Sequence, residues 1–216
     1  MTSNPHKSQD SPQGLYRREY EHDACGMGAV VNIDGTRSHD ILHLGNQILM
    51  NLQHRGASGS DGITGDGAGM LLQIPHRFFA ARTSEHGVDL PEPGTYGVAM
   101  LFSPKDETIR KRCHDLFCEA VAHYGLVVLG QRDVPGDTSG LGDLAKASEP
   151  FIYQVFLGAD GQEGPDLERT LYMARKRAER LIAQALGDEA ADFYICSMSA
   201  RTICYKGMFM AWQLPA

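Results

Sequence analysis

The chain has 216 residues, of which 42% are hydrophobic and 22% charged, as is typical of one soluble globular domain with a substantial core. Its formal net charge of -7 argues against a surface that binds nucleic acid or an anionic membrane, because both require a concentrated positive field. No run of residues approaches the ~20 consecutive apolar residues that a membrane-spanning helix needs.

The cysteines are five in number and contain no Cys-x-x-Cys pair. An odd count without close pairs indicates neither a disulfide framework nor a zinc ribbon, so we expect no metal site and a reducing cytoplasm. They are Cys25, Cys113, Cys118, Cys196 and Cys204.

Residues 1–24 differ from the rest of the chain. The first 14 are rich in Ser, Pro, Asn and Gln and have almost nothing to bury. The segment lacks the apolar core of a secretory signal, and its acidic residues are unlike a transit peptide. We interpret 1–24 as a leader and 25–216 as the folded domain.

The first predicted element is a strand over 25–33, which runs from Cys25 through small and β-branched residues to a turn at Asn32-Ile33-Asp34-Gly35. A helix is predicted over 39–53 from apolar residues spaced three and four apart, ending at His54-Arg55-Gly56. A glycine-rich loop follows over 56–69, and such a loop usually serves a site.

The remaining pattern alternates strands and helices. A short helix is predicted over 76–82, a longer one from Pro104 to a cap at Gly125, and another over 165–186. Strands are predicted at 70–75 (buried), 96–102, 126–134 and 151–157, and as two neighbours within 192–199 and 201–207. The sequence therefore predicts a layered domain of mixed α and β structure.

Cys25 is the candidate nucleophile, although most cysteines in folded proteins are small apolar fillers. Gly26 and Gly28 leave room for a substrate beside its sulfur. Cleavage after Ala24 would free an α-amine, whose pKa near ~7.7–8.0 lets it accept the thiol proton at neutral pH. One residue would then supply both nucleophile and base.

Other side chains near this junction have simpler interpretations. His22 would leave with the leader, and His54 ends a helix. The glycine loop lacks the Gly-Lys-Ser/Thr ending of a phosphate-binding loop and precedes a strand, so a nucleotide site is not favoured. Arg55 is either a surface cap or a site residue beside the loop.

Three stretches resemble one family: EHDACGMGAV at 21–30, LQHRGASGSDGITGDGAGML at 52–71 and SMSARTICYKGM at 197–208. They are similar to the amino-terminal glutaminase domain of the large subunit of glutamate synthase. This resemblance implies a class II glutamine amidotransferase with an α+β N-terminal-nucleophile (Ntn) hydrolase fold, in which two antiparallel sheets pack between helical layers in the order αββα.

The resemblance also implies a mechanism and a site. Cys25 becomes the mature amino terminus and attacks the side-chain amide of glutamine, which gives ammonia and a glutamyl thioester that water hydrolyses to glutamate. Arg55 would help organise the nucleophile's pocket, with Gly26 and Gly56 beside it. No metal is implied for this domain.

In the family, ammonia passes to a synthase part that holds FMN and an iron–sulfur cluster and aminates 2-oxoglutarate. These residues are not expected to bind either cofactor; the partners implied are glutamine and the remaining glutamate synthase segments. The family pattern continues to an Arg-Phe-Ser-Thr segment and an oxyanion-binding Asn-Gly pair, and neither occurs in this sequence. The fold is thus expected to be incomplete and the isolated chain to have little activity.

Two alternatives stay open from the sequence. The chain is a non-catalytic interaction or regulatory module that keeps the front half of the fold, or it is another class II amidotransferase that makes an amino sugar or a purine precursor. The stretches from Thr64 to Gly69 and from Tyr205 to Gly207 fit glutamate synthase better than the second alternative.

Overall fold

The computed structural model describes residues 25–59, 61–139, 141–208 and 210–214. The predicted leader at 1–24, with His22, lies outside these residues. In the described part, helices and purely antiparallel strand pairs confirm the expected α+β class. None of the described helices combines the length and the apolar character that crossing a membrane requires.

The elements agree closely with the predicted ones except at the amino-terminal end. Each predicted helix is present, and so is each predicted strand after residue 68. The helices are α1 His39–Asn51, α2 His76–Ser84, α3 Glu107–His123, α4 Asp143–Ser148 and α5 Gly164–Leu186. The strands are β1 Ala68–Gln73, β2 Tyr96–Ser103, β3 Leu126–Asp133, β4 Phe151–Ala159, β5 Tyr194–Ser199 and β6 Thr202–Gly207.

The strands form two sheets. One has four strands in the order β3-β4-β2-β5, and the other has two, β1-β6. The consecutive strands β5 and β6 therefore lie in different sheets, and the short connection at Ala200 and Arg201 carries the chain from one sheet to the other.

Helices α3 and α5 cover one face of the four-stranded sheet. Phe117 of α3 and Leu171 of α5 are fully buried in one cluster with Ala99 and Leu101 of β2. The opposite face packs against the β1-β6 sheet and α2 through a second cluster, in which Val98 of β2 is buried. Burial on both faces explains the continuous apolar run from Val98 to Phe102 in β2, since these side chains alternate between the two core clusters.

Strand β1 is less buried than the sequence predicts. Leu72 packs on the second core cluster, whereas Leu71, which points to the opposite face, is 65% exposed. The prediction of a buried strand is therefore wrong for one face, because only one side of the β1-β6 sheet faces the rest of the described core.

The start of α3 also differs from the prediction. The helix begins after Asp106, whose carboxylate accepts a hydrogen bond from the backbone N–H of Ile109 at 2.9 Å, and Pro104 lies outside the first turn. The first backbone N–H groups of a helix need an acceptor from outside the helix, and the side chain of proline cannot provide one. The capping residue therefore determines where the helix begins. The predicted cap at the other end is confirmed, because Gly125 has a φ of +71°.

The predicted strand over 25–33 is wrong. Residues 25–32 form no ladder with the described strands, and Val31 and Ile33 are 76% and 104% exposed. Small and β-branched residues favour extended backbone, but a strand also needs a partner for its backbone N–H and C=O groups. The turn that follows is confirmed by a 3.0 Å hydrogen bond from Gly35 N–H to the Asn32 carbonyl.

Close packing at Gly97 gives a stability prediction. A Cβ at this position would lie 2.8 Å from Cδ2 and 3.3 Å from Cγ of the fully buried Leu171. Gly97→Ala gains less than about 1 kcal/mol from reduced chain entropy, whereas overpacking costs about 1–3 kcal/mol. We therefore expect a lower free energy of unfolding in urea.

Two further variants test this explanation of Gly97. Gly136→Ala is the matched control, because a Cβ there meets nothing within 4 Å, and its stability is expected to stay near that of the wild type. Leu171→Ala removes the side chain that a Cβ on Gly97 would contact. The double variant with Gly97→Ala should therefore lose less stability than the two single variants lose in sum. Additive effects would contradict the packing explanation.

His114 gives a pH prediction. This α3 residue lies near Cys118, with 3.4 Å between Nε2 and Sγ, and near the Tyr153 hydroxyl, 3.5 Å from Nδ1. Burial lowers the pKa of His114, and Lys111 adds to this effect while Asp115 opposes it. The unfolded chain therefore binds a proton at higher pH than the folded one.

The sign of the pH dependence follows from this lowered pKa of His114. Its contribution to stability is complete above the unfolded pKa of about 6.5 and is lost as pH falls through the lower folded value. Urea unfolding between pH 7.5 and 5 should show a smaller loss of stability in His114→Gln than in the wild type. The exposed His123 provides the control, and His123→Gln should follow the wild-type curve; a wild-type slope in His114→Gln would contradict the assignment.

Candidate active site

Cys25 lies on the surface of the described structure, in a segment without regular secondary structure that packs on α1. Two glycines bring this segment close to its neighbours. A Cβ on Gly28 would collide with the side chain of Ile48, and one on Gly26 would lie 3.2 Å from Cδ2 of Leu52. Both glycines thus allow the backbone beside Cys25 to approach the helix closely. Larger residues at these positions would prevent this packing.

Arg55 is the second predicted site residue, and the structure places it beside the first. It ends a 3-10 turn, Gln53–Arg55, which follows α1 directly. A Cβ on Gly26 would lie 3.3 Å and 3.4 Å from Cβ and Cγ of Arg55. The stem of the arginine is therefore packed against the residue that follows Cys25.

The guanidinium group of Arg55 makes no comparable contact with the described residues. The residue is exposed, and in the described parts of the chain no hydrogen bond or ion pair engages its guanidinium. A guanidinium carries five N–H donors in a rigid fork suited to carboxylates. It is thus available to a ligand or to residues beyond the described ones.

The glycine loop after Arg55 is a small closed structure. Ser58 and Gly65 form an antiparallel bridge, and Gly59 donates a 2.7 Å backbone hydrogen bond to the Thr64 carbonyl. Gly56 lies at the base of the loop, where a Cβ would lie 3.2 Å from Oδ1 of Asp66. Gly56 therefore permits the approach of a carboxylate that the sequence analysis did not single out.

Asp61 organises the tip of the loop. Its carboxylate accepts hydrogen bonds from the backbone N–H groups of Ile63 and Thr64 at 3.0 and 2.9 Å, and from the Thr64 hydroxyl at 2.6 Å. Hydrogen bonds from the Thr64 hydroxyl and from both backbone groups lower the pKa of Asp61. The carboxylate is therefore ionised, and its hydrogen bonds stabilise the turn. In a sequence, such a turn is indicated by an Asp that precedes the residues donating to it by two and three positions.

The other candidates have contacts of their own in the structure. His54 makes a 3.0 Å contact between Nδ1 and the Asn51 carbonyl, consistent with its predicted place at the end of the helix. Cys113 and Cys118 lie on α3, while Cys196 and Cys204 lie on β5 and β6, as predicted. No set of three or more His, Cys, Asp or Glu side chains suited to a metal ion occurs in the described structure.

Two cavities in the described structure are formed without Cys25. One of about 750 Å³ lies beside α5, β5 and β6, and one of about 400 Å³ lies near Tyr96 and Arg201. Cys25, the predicted nucleophile, is exposed, and the stem of Arg55 lies beside the residue that follows it.

Comparison with known proteins places these features in a family. The family model for class-II glutamine amidotransferases matches residues 25–216. The large chain of glutamate synthase [NADPH] from Bacillus subtilis is 44% identical over 206 residues, which cover 94% of this chain and 13% of that protein.

Eukaryotic proteins give similar matches. Glutamate synthase [NADH] from Saccharomyces cerevisiae is 40% identical over 94% of this chain and 10% of its own length. A chloroplastic ferredoxin-dependent glutamate synthase from Arabidopsis thaliana is 36% identical over 91% of this chain and 12% of its own length. The chain thus spans about an eighth of the curated relatives or less, and it belongs to the class-II glutamine amidotransferases.

Proposed function

We propose that this chain is the glutamine-hydrolysing domain of a glutamate synthase. The observation that carries the proposal is the family match over 25–216, which begins at the exposed Cys25. The glutamate synthase matches over more than 90% of the chain favour this function over a class II enzyme that makes an amino sugar or a purine precursor.

The proposed reaction begins with removal of residues 1–24 as a propeptide. The freed α-amine of Cys25 takes the proton from its own thiol, because the unperturbed pKa of such an amine is about 7.7–8.0. The amine then serves as general base without a histidine.

The Cys25 sulfur then attacks the side-chain amide carbon of glutamine. The C–N bond breaks, and the ammonium of Cys25 supplies the proton with which nitrogen leaves as ammonia. A water molecule, deprotonated by the same amine, attacks the resulting glutamyl thioester and releases glutamate and the free thiol.

Arg55 supports this chemistry in the proposal by shaping the space beside Cys25. Its stem is fixed by contact with Gly26, while its guanidinium has no partner among the described residues. A held stem with a free head group limits the entropy lost when the arginine binds a carboxylate or a carbonyl. Gly26 and Gly56 contribute by leaving room beside Arg55.

We further propose that the domain has the four-layer αββα arrangement of the Ntn hydrolases. The observed layers are the α3 and α5 helices, the four-stranded sheet and the β1-β6 sheet. The fourth layer would cover the opposite face of the β1-β6 sheet, where Leu71 is 65% exposed. Helix α1 lies beside this sheet, since a Cβ on its Gly45 would lie 3.0 Å from the side chain of Met70 in β1, and the segment that carries Cys25 packs on the same helix.

The remaining chemistry is proposed for the longer protein. The FMN, the iron–sulfur cluster and the amination of 2-oxoglutarate would belong to the other glutamate synthase segments, which would be partners of this domain. The chain covers 13% and 10% of two glutamate synthases that it matches. We place this reaction in the cytoplasm, as the free cysteines suggest.

A glutamine hydrolysis assay tests the proposal with the chain in its longer protein and by itself. Glutamate and ammonia should form in equal amounts, and 2-oxoglutarate, not a sugar phosphate or a purine precursor, should capture the ammonia. The expected low activity of the isolated chain is measured in the same experiment. Retention of residues 1–24 together with no hydrolysis in either form would favour the non-catalytic module.

A further inference from the structure

Two cysteines outside the candidate site face each other across the junction of the two sheets. Cys196 in β5 and Cys204 in β6 lie equally far along the chain from Ala200, where the connection turns. The Cys196 Sγ lies 3.8 Å from the Cys204 carbonyl oxygen, and both cysteines line the same cavity. The two side chains therefore lie close together at this junction, as the partners of a disulfide must.

The backbone around this pair is fixed. The Ser197 hydroxyl accepts a 3.1 Å hydrogen bond from the Cys204 N–H, and the Ser199 hydroxyl accepts one of 3.1 Å from the Thr202 N–H. These bonds tie β5 to β6 on both sides of the turn. The two thiols thus stay close without any covalent bond between them.

Charge favours a thiolate in the pair. The hydrogen bond from Cys196 and the nearby Lys206 ammonium lower the pKa of Cys204, although its partial burial opposes this change. The interaction with Cys204 raises the pKa of Cys196, to which its burial also contributes. Burial, in contrast, raises the pKa values of Cys113 and Cys118.

The pair is also accessible. Cys196 and Cys204 both line the cavity of about 750 Å³ beside α5, which small oxidants can enter. Cys113, by comparison, is completely buried. A thiolate that is accessible and has a second thiol within reach is the combination that characterises redox-active cysteines.

We propose that Cys196 and Cys204 form a reversible disulfide when the protein meets a two-electron oxidant such as hydrogen peroxide. The Cys204 thiolate attacks the peroxide, the O–O bond breaks, and a sulfenic acid and hydroxide form. The Cys196 sulfur then attacks the sulfenic sulfur, its proton leaves with the sulfenic oxygen as water, and the S–S bond closes. The two thiols are oxidised by two electrons and the peroxide is reduced to water.

This bond would join the four-stranded sheet to the β1-β6 sheet. The reaction is independent of Cys25 and of the proposed glutaminase chemistry. It therefore holds or fails separately from the proposed function.

Peptide mapping of the 216-residue chain after treatment with hydrogen peroxide tests the pair. Free thiols are blocked with N-ethylmaleimide, and trypsin then cleaves after Arg201, between the two cysteines. We expect peptides 181–201 and 202–206 to be recovered as one disulfide-linked species, at a rate independent of protein concentration. Dithiothreitol should restore both thiols to full labelling.

Variants separate this pair from the other cysteines. Cys196→Ala and Cys204→Ala should each abolish the linked species, whereas Cys118→Ala and Cys25→Ser should retain it. The wild-type result stands even if one variant folds poorly, because the linkage is read directly. Recovery of peptide 202–206 only as the blocked thiol or as a sulfinic acid, or linked to another cysteine, would overturn the proposal.

Discussion

Replacing Cys25 with alanine is expected to reduce glutamine hydrolysis to the level without enzyme, with no large change in stability. The side chain is exposed, so its loss removes little buried surface. Removal of a nucleophile in a comparable hydrolase costs on the order of 10⁶ in kcat. The measurement is steady-state release of glutamate and ammonia from glutamine by the longer protein that contains this domain, with circular dichroism as a check on folding.

Cys118→Ala is the matched control for this substitution, because Cys118 lies on α3 in contact with His114 and apart from the candidate site. It should retain activity. Cys25→Ser tests the nucleophile more finely, since the hydroxyl keeps the geometry but is the poorer nucleophile at neutral pH. Equal rates for wild type and Cys25→Ala would remove Cys25 from the mechanism.

Replacing Arg55 should produce the second largest effect. A guanidinium that hydrogen-bonds to a charged group, or to charge that develops in the transition state, contributes about 1.5–3 kcal/mol. This corresponds to about 10- to 100-fold in kcat/KM. Arg55→Ala should lose this amount. Arg55→Lys should recover part of it, because lysine keeps the charge but not the planar fork of donors.

Two controls separate a site role for Arg55 from a structural one. Arg82→Ala removes another exposed arginine, which pairs with Glu85 at 2.8 Å, and should leave the kinetics unchanged. The stem of Arg55 packs on Gly26, so Arg55→Met preserves much of that contact without the charge. Wild-type kinetics in Arg55→Met would show that only the stem matters.

The sequence predicted the interior of this fold well because its long elements have strong periodicity. In α5, the buried residues Leu167, Leu171, Ala174 and Ala178 recur at the three- and four-residue spacing of one helix face. In β2, a run of apolar residues reflects burial on both faces. Such patterns follow from local geometry alone, so no knowledge of partners is needed.

Elements that depend on a distant partner were harder to predict. The stretch from Cys25 to Ile33 has the composition of a strand, yet no described strand pairs with it. Similarly, β5 and β6 were predicted as neighbours, but their separation into two sheets depends on pairing with β2 and β1, far away in sequence. Neither outcome can be read from propensity or spacing.

The candidate site divides in the same way. Cys25 and Arg55 were singled out from their residue types and neighbours, but the packing of Arg55 on Gly26 required the turn after α1. Asp66 was missed because only the folded loop brings its carboxylate to Gly56. Spacing along the chain carries little information about contacts of this kind.

Labelling with an electrophilic analogue of glutamine tests the central claim most directly. The chain, with and without a supplied downstream segment of the longer protein, is treated with the analogue, digested and mapped by mass spectrometry. We predict a single modified residue, Cys25, in a peptide that begins at Cys25 with a free α-amine. Modification of any other residue, or of a Cys25 still preceded by Ala24, would contradict the account.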